Sequence, residues 1–161
     1  MDIEEKKKLA SSWFRELRDS FCEKFEAIDG NKFERKHWDH KFSGGGEMST
    51  MKGDVFEKVG VNISTVSGKF GDDFKSQVKG TEESSEYWAS GISLVAHMHS
   101  PKVPAFHFNT RFIVTGDSWF GGGGDITPTI VPKEEVDFFH ACMKEACDSA
   151  NKDYYKTYKE A

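Results

Sequence analysis

The stretch AFHFNTRFIV, which runs from Ala105 to Val114, alternates apolar and polar residues along its length. Successive side chains of a β-strand point to opposite faces, so the alternation gives this strand one apolar and one polar face. The apolar face comprises Phe106, Phe108, Phe112 and Val114. The polar face comprises His107, Asn109 and Arg111. The pattern predicts a strand that packs on a hydrophobic core with one face and presents chemically versatile side chains on the other.

The preceding stretch, from Gly91 to Met98, predicts a second strand, with Ser93, Val95 and His97 on one face. The connection between the two stretches is short and contains two prolines. We therefore expect the strands to pair and their polar faces to lie side by side. A sheet face that merely meets water is usually rich in Lys, Glu and Thr, so this combination of His, Asn and Arg favours a functional face.

These side-chain types suit carboxylate recognition and proton transfer. The guanidinium of Arg111 is a planar fork of N–H donors that matches a carboxylate, and Asn109 can donate or accept. A histidine can transfer a proton near neutral pH or bind a metal through a ring nitrogen.

The rest of the chain predicts helices around this sheet. A helix is expected from Ile3 to Ile28, where apolar residues recur at spacings of three and four and Gly30 follows. The apolar stripe of this helix comprises Trp13, Leu17, Phe21, Phe25 and Ile28. A polar stretch with Phe33 and Trp38 follows, then the flexible run 44–46, and a strand is expected around residues 59–63. Residues 67–80 are interpreted as a loop and residues 82–89 as a short helix.

Near the end of the chain, a helix is expected to start at Pro132, with a second over residues 153–160. The inner face of the first is predicted to comprise Val136, Phe139, Met143 and Cys147. The order of elements predicts an α+β fold with a mainly antiparallel sheet flanked by helices, and residues 1–161 are interpreted as a single domain.

Composition excludes several classes of function. The net charge of −5 and a pI near 5.7 leave no electrostatic footprint for a nucleic acid. No apolar run reaches the roughly 20 residues that span a bilayer, and the N-terminus is too acidic for a signal peptide. The three cysteines form neither an even disulfide framework nor a C-x-x-C pair. We expect a reduced, cytoplasmic, globular protein.

The run Trp119 to Asp125 contains four consecutive glycines. Interpreted as a turn without Cβ atoms, it would let a flat ligand approach closely, with Asp125 as a fixed acceptor at its end. The alternative is a flexible turn in which Asp125 serves as a cap. A phosphate loop is excluded, because no Lys-Ser or Lys-Thr follows the glycines.

The histidines allow a metal site. His97 and His99 share a strand face, and His107 or His140 could supply a third nitrogen. For His37, His40 and His99, an ordinary surface or core histidine is the better interpretation.

Four blocks occur in order along the chain: VFEKVGVNIS (55–64), GISLVAH (91–97), HFNTR (107–111) and WFGGGGDITP (119–128). Together they resemble the signature blocks of the oxygen-dependent coproporphyrinogen III oxidases. The resemblance implies an antiparallel sheet flanked by helices, usually in a homodimer. It also implies oxidative decarboxylation of two propionates of coproporphyrinogen III, with O2 as co-substrate, no organic cofactor and protoporphyrinogen IX as product.

The resemblance further implies roles for individual residues. Suggested ligands of a divalent metal, such as manganese, are His97, His107 and His140. Suggested substrate-binding residues are Ser93, Asn109, Thr110 and Arg111. His107 is also a suggested proton donor, a role hard to combine with metal ligation. Our hypothesis adds that Asp125 accepts hydrogen bonds from pyrrole N–H groups at the macrocycle centre, and either His107 or Asp125 could carry the key proton transfer.

Family members continue well past the position that matches Tyr158, so the chain is interpreted as the N-terminal portion of a longer family domain. Its own activity is therefore open, and so is its oligomeric state. Three alternatives remain: a non-catalytic tetrapyrrole- or anion-binding fragment, a histidine-ligated metal oxygenase, and a purely structural fragment.

Overall fold

The computed structural model describes residues 1–71, 78–82, 84–130 and 133–160. Its elements are α1 (Ile3–Asp29), β1 (Glu34–Asp39), β2 (Ser43–Met51), β3 (Phe56–Lys69), β4 (Glu86–Met98), β5 (Ala105–Val114), β6 (Ser118–Thr127), α2 (Lys133–Ala150) and α3 (Tyr154–Lys159). The strands form a six-stranded sheet in sequence order, and each neighbouring pair is antiparallel. This confirms the predicted α+β fold with an antiparallel sheet.

Helix α1 begins and ends where the sequence supplies caps. The Asp2 side chain accepts a hydrogen bond from the backbone N–H of Glu5 at 2.8 Å. Gly30 adopts a φ of 85°, a left-handed conformation that glycine adopts without steric cost and that commonly ends helices. The predicted helix over residues 3–28 is confirmed to within one residue.

The core lies between α1 and the middle of the sheet. Val59 and Val61 of β3 and Leu94 of β4 are at most 1% exposed. The rings of Phe21 and Phe108 meet edge to face at a centroid distance of 6.0 Å, so the predicted apolar face of β5 is the face toward α1. Burial of these side chains is the main stabilising contribution to the fold.

Of the stripe predicted for α1, Leu17, Phe21 and Phe25 pack against the core, but the residues at its two ends are exposed. Trp13 is 47% exposed and Ile28 is 60% exposed. The buried residues of the helix are Ala10, Phe14, Arg18 and Cys22. Arg18 also points inward and forms an ion pair with Glu47 of β2, a non-local contact that a count of apolar residues does not register.

The predicted short helix over residues 82–89 is wrong. Residues 86–89 are the first part of β4, and they pair with the last part of β3, which extends to Lys69. The predicted loop over residues 67–80 is therefore also wrong for residues 67–69, and its residues 72–77 lie outside the described part. Cross-strand pairing between these two segments outweighs the local helix preference, since a sheet ladder satisfies each backbone group.

Both glycine-rich segments lie in strands. Residues 44–46 belong to β2 and residues 121–124 belong to β6, so interpreting them as flexible or turn segments was wrong. The polar stretch around Trp38, for which no element was predicted, forms β1. Glycine inside a strand often marks a close approach of another group, and at position 46 the ring of Trp38 occupies the space that a Cβ would need.

Helix α2 lies on the same face of the sheet as α1. The Phe139 ring lies 6.5 Å from the ring of Phe106, which stands on the α1 side of β5. The residues predicted for the inner face of α2 are each half-buried: Val136, Phe139, Met143 and Cys147. The predicted start at Pro132 lies outside the described residues, and α3 confirms the closing helix.

All three cysteines are free: Cys22 is buried, Cys147 is half-buried and Cys142 is exposed. Burial raises the pKa of the Cys22 thiol, which keeps it protonated. Within the described ranges, no helix is both long enough and apolar enough to cross a membrane.

Asp29 connects the end of α1 to the start of β3. Its carboxylate accepts hydrogen bonds from the Asn31 side chain at 2.6 Å and from the backbone N–H groups of Val55 and Phe56 at 3.0 Å each. The Asn31 bond, followed by the backbone bonds, lowers the pKa of Asp29 below its usual 3.8. A lowered pKa in the folded state stabilises the protein above pH 3.8, and this stabilisation is lost as the pH falls through the lowered value.

We therefore expect Asp29→Ala to lower the Tm at neutral pH, and we expect the difference from the wild type to shrink as the pH falls below 3.8. Thermal melts followed by circular dichroism over a pH series measure both effects. Glu23→Ala, which removes an exposed carboxylate from the same helix, is the matched control. A difference that stays constant with pH would show that packing, not charge, accounts for the effect.

Candidate active site

The face of the sheet opposite α1 and α2, termed the open face, carries most of the residues that the sequence indicated. The register aligns them in rows that cross the strands. One row contains Gly60, Val95, His107 and Asp125. The next contains Asn62, Ser93, Asn109 and Gly123. The third contains Ser64, Gly91, Arg111 and Gly121. The predicted pairing of the two polar faces is thus confirmed.

At one end of the open face, Asp125, His107 and His97 form a chain of polar contacts. The Nδ1 atom of His107 lies 2.8 Å from Oδ1 of Asp125, and its Nε2 atom lies 3.1 Å from Nε2 of His97. The hydroxyl of Thr127 donates to the same carboxylate oxygen at 3.4 Å. The Asp125 side chain is 64% exposed and the His107 side chain 34% exposed, so a ligand can reach both.

These contacts assign the tautomers of His107 and His97. A carboxylate only accepts hydrogen bonds, so Nδ1 of His107 carries a proton and donates it to Asp125. In neutral His107 the Nε2 atom is then an acceptor, and the Nε2–H of His97 donates to it. Asp125 therefore orients the His107 ring through this contact. This arrangement can hold or transfer a proton beside a bound ligand.

A shallow depression of about 280 Å³ lies on the open face, next to the contacts of Asp125, His107 and His97. Ser93, Asn109 and Arg111 line it, as predicted for a substrate site. Arg111 Nη2 donates to Oδ1 of Asn109 at 2.7 Å, which holds the guanidinium against the sheet and leaves its other N–H groups available. The depression can thus bind a carboxylate at its Arg111 end.

Two predicted residues are placed elsewhere. Thr110 pairs with the buried Ile92, so its side chain faces α1 and only its backbone borders the depression. His140 lies on α2, on the other side of the sheet, and its Nδ1 atom is 3.1 Å from the Tyr155 hydroxyl. The structure therefore brings His97 and His107 together without His140.

The predicted metal set is only partly assembled. His97 and His107 present two facing nitrogens, but Asp125 contacts the opposite side of the His107 ring. A catalytic zinc site typically uses three protein ligands. The described part of the chain contains no group of three or more His, Cys, Asp or Glu side chains that could hold a metal ion. The described residues therefore supply two nitrogens of the predicted set, and no step of the chemistry below uses a metal.

The other histidines make local contacts. His99 Nε2 lies 3.0 Å from the carbonyl oxygen of Gly53, and His37 Nε2 lies 2.9 Å from Glu47. The ring of His40 meets that of Phe42 edge to face. These contacts agree with the interpretation of the three as ordinary surface or core histidines.

Three residues that line the depression were missed as site residues. They are Trp38, Asn62 and Ser64. Asn62 and Ser64 alternate within the block VGVNIS, and the same period-two argument used for β5 could have placed them on the open face. Among the described residues, the buried Oδ1 atom of Asn62 has no hydrogen-bond partner, which is unusual for a buried polar atom.

The glycines of β6 leave the site uncovered on one side. Gly121 and Gly123 stand beside Arg111 and Asn109, and a Cβ at either glycine would meet open space. Packing within the described part of the chain does not require glycine at these positions. Their effect is to keep the surface flat where a ligand would approach the polar side chains.

Comparisons with known proteins show the family of this chain. A family model described as coproporphyrinogen III oxidase matches residues 9–161. Relatives named oxygen-dependent coproporphyrinogen-III oxidase are 51% identical over 166 residues in Rickettsia africae (strain ESF-5) and 52% identical over 161 residues in Rickettsia felis (strain ATCC VR-1525 / URRWXCal2). The alignments cover 97% and 94% of this chain but 60% and 58% of the relatives. The chain thus spans about 60% of the length of these curated relatives, and it belongs to the coproporphyrinogen III oxidase family.

Proposed function

We propose that this chain carries the catalytic face of an oxygen-dependent coproporphyrinogen III oxidase, an enzyme of porphyrin and haem biosynthesis. The observation that carries the proposal is the series of polar contacts that joins Asp125, His107 and His97, beside the depression that Arg111 lines. The relatives carry the name of this enzyme, which supports the same substrate and O2 as co-substrate. Each reaction converts one propionate and one O2 into a vinyl group, CO2 and H2O2.

In the proposed mechanism, Arg111 binds a propionate carboxylate through its guanidinium fork, with Ser93 and Asn109 beside it. Thr110 contributes through its backbone. Arg111 lies four positions after His107 on the same strand, so their backbones are about 13 Å apart. One end of the site can therefore hold a peripheral carboxylate while the other reaches the ring nitrogens.

Asp125 accepts hydrogen bonds from pyrrole N–H groups, and its negative charge stabilises the positive charge that develops as O2 withdraws electrons from the macrocycle. His107 lies within hydrogen-bond reach of this carboxylate and carries a proton to the reduced oxygen. His97, which contacts the other side of the His107 ring, is the next group that could pass a proton. The two electrons that reduce O2 come through the macrocycle from a C–H bond of the propionate carbon next to the ring, and that carbon loses the proton. Loss of CO2 then supplies the pair of electrons that forms the vinyl double bond. H2O2 takes up two protons, the one lost from this carbon and the one that His107 carries. O2 is the oxidant, so no organic cofactor enters the balance.

The remaining expectations belong to the same proposal. A homodimer is supported by exposed apolar side chains such as Phe120 and Phe138, which are 61% and 72% exposed. A cytoplasmic location is supported by three cysteines without a disulfide. A divalent metal such as manganese stays a prediction, for which the described residues supply two nitrogens. Residues 1–161 are proposed as the N-terminal portion of one longer domain, on the basis of the share of the relatives that they match.

The share of the relatives that this chain covers also favours a second candidate, a fragment that binds the tetrapyrrole without turnover. An aerobic assay with coproporphyrinogen III, read by protoporphyrin fluorescence after oxidation, separates the two. Turnover supports the enzyme. Binding of coproporphyrin III without turnover supports the fragment, and the absence of both would refute the proposed substrate.

For binding, we expect Arg111→Ala to raise the Kd for coproporphyrin III by about 10- to 100-fold, because a hydrogen bond to a charged group contributes roughly 1.5–3 kcal/mol. Absorbance titration of the Soret band measures the Kd. Arg15→Ala, which removes an equal charge from the exposed side of α1, is the control. Equal weakening by both variants would show a general attraction between charges and contradict a specific site.

A further inference from the structure

We propose that Trp38 is a substrate-positioning residue, whose indole forms the side wall of the depression and packs against a pyrrole unit of the tetrapyrrole. The inference rests on the proposed function and adds to it a residue that lies outside the predicted set. Trp38 is distant in sequence from the polar strands β4 and β5, and the fold brings it to the same surface.

The position of Trp38 follows from its strand pairing. Trp38 of β1 pairs with Gly46 of β2, which in turn pairs with Ser64 of β3. A Cβ at position 46 would meet two ring atoms of Trp38, at 2.7 and 2.8 Å. The glycine therefore lets the indole lie across the sheet, on the open face, since the next residue, Glu47, points toward α1.

The row that starts at Trp38 is nearly free of side chains before it reaches Arg111. Its members are Trp38, Gly46, Ser64, Gly91, Arg111 and Gly121. Strands lie about 4.8 Å apart, so the backbones at Trp38 and Arg111 are roughly 19 Å apart, and their long side chains narrow this gap. The floor between them is flat, with an aromatic wall at one end and a cation at the other.

This arrangement matches a ligand with flat, electron-rich rings and peripheral carboxylates. The carboxylate suits Arg111, while an indole face attracts flat apolar rings through packing and edge-to-face contacts. Asn62, which lines the same depression, adds a polar side chain to its floor. Trp38 remains 36% exposed, so its indole is accessible for contact with a ligand.

A structural explanation would be that Trp38 only shields the edge of the sheet. Residues of β1 are exposed along its whole length, so the loss of the ring removes little core packing. The two roles predict different results. A shielding role affects thermal stability and leaves affinity unchanged, whereas a positioning role affects affinity and the spectrum of the bound ligand.

The experiment titrates the full chain with coproporphyrin III and follows the Soret band and tryptophan emission. We expect Trp38→Ala to raise the Kd about tenfold and to remove part of the Soret shift, and Trp38→Phe to stay within about threefold of the wild type. Trp13→Ala removes an exposed indole from α1 and is expected to leave the Kd unchanged. Circular dichroism checks that each variant is folded.

Wild-type affinity and an unaltered Soret shift in Trp38→Ala would overturn the role of Trp38 while the proposed function stands. Equal weakening in Trp38→Ala and Trp13→Ala would also overturn it. If Trp38→Ala does not fold, the Phe variant decides, because a tenfold loss with Phe would contradict a simple aromatic wall. A wild-type chain that neither binds coproporphyrin III nor turns over coproporphyrinogen III would overturn the proposed function together with this inference.

Discussion

Under the proposed function, Asp125→Asn is expected to lower the turnover of coproporphyrinogen III by about 10²- to 10⁴-fold, the range typical for loss of a positioned acid or base. Binding of coproporphyrin III is expected to change by less than about threefold, because the amide keeps an acceptor oxygen where the carboxylate had one. The substitution removes the charge that stabilises a macrocycle losing electrons. It also replaces the charged partner of His107 Nδ1 with a neutral amide.

Turnover and binding are measured on the same preparations, by protoporphyrin fluorescence and by Soret titration. Thr127→Val is the matched control, because it removes a neighbour of the same carboxylate, at 3.4 Å, without changing the charge. We expect this control to retain activity within a few fold. Near-normal turnover in Asp125→Asn would refute the proposed role of Asp125.

A second readout does not depend on turnover. The 2.8 Å contact between Asp125 and Nδ1 of His107 predicts that the wild-type imidazole carries its proton on Nδ1. Nitrogen chemical shifts from NMR of the labelled histidine distinguish the tautomers. We expect Asp125→Ala to shift His107 toward a mixture of both, and an unchanged tautomer would contradict the assigned contact.

The polar face could be derived from the sequence because strand alternation is a local rule. Alternation within residues 105–114 places His107 and Arg111 on one face, and the short connection to the preceding strand fixes their neighbours. Helix α1 was predictable for a similar reason, since its caps and its apolar period lie within one segment.

The rest depends on contacts that are distant in sequence. Residues 121–124 have the composition of a turn, but hydrogen bonds to β5 hold them in a strand, and that pairing places Asp125 opposite His107. Trp38 reaches the same surface only because four strand pairings lie between it and β5. His140 could be placed on a helix from the sequence, but the side of the sheet on which that helix packs could not be predicted.

The second large effect concerns stability, at the ion pair between Arg18 of α1 and Glu47 of β2. Arg18 is 6% exposed and Glu47 is 8% exposed, so both charges are buried between the helix and the sheet. Glu47 also contacts the exposed His37 at 2.9 Å. Arg18 has a second partner in Asp19, at 2.8 Å, which lies closer to solvent.

We expect Glu47→Leu to lower the free energy of unfolding by about 3–5 kcal/mol, because it leaves a buried guanidinium without its main partner. This is a large fraction of the roughly 5–15 kcal/mol that stabilises a typical domain. Urea denaturation followed by circular dichroism measures the change. Asp137→Asn, which breaks the exposed pair of Lys133 and Asp137 on α2, is the control and is expected to cost less than about 1 kcal/mol.

The double variant Arg18→Met/Glu47→Leu tests the physical cause of that loss. A buried ion pair gains little over apolar groups of similar size, because its attraction is offset by the cost of removing two charges from water. We therefore expect the double variant to recover most of the stability that Glu47→Leu loses. If it is instead less stable than either single variant, the two side chains stabilise the fold independently through packing. If the double variant recovers this stability, each charge of the pair mainly offsets the cost of burying the other. That would explain how α1 can turn a charged residue, and not Trp13, toward the core.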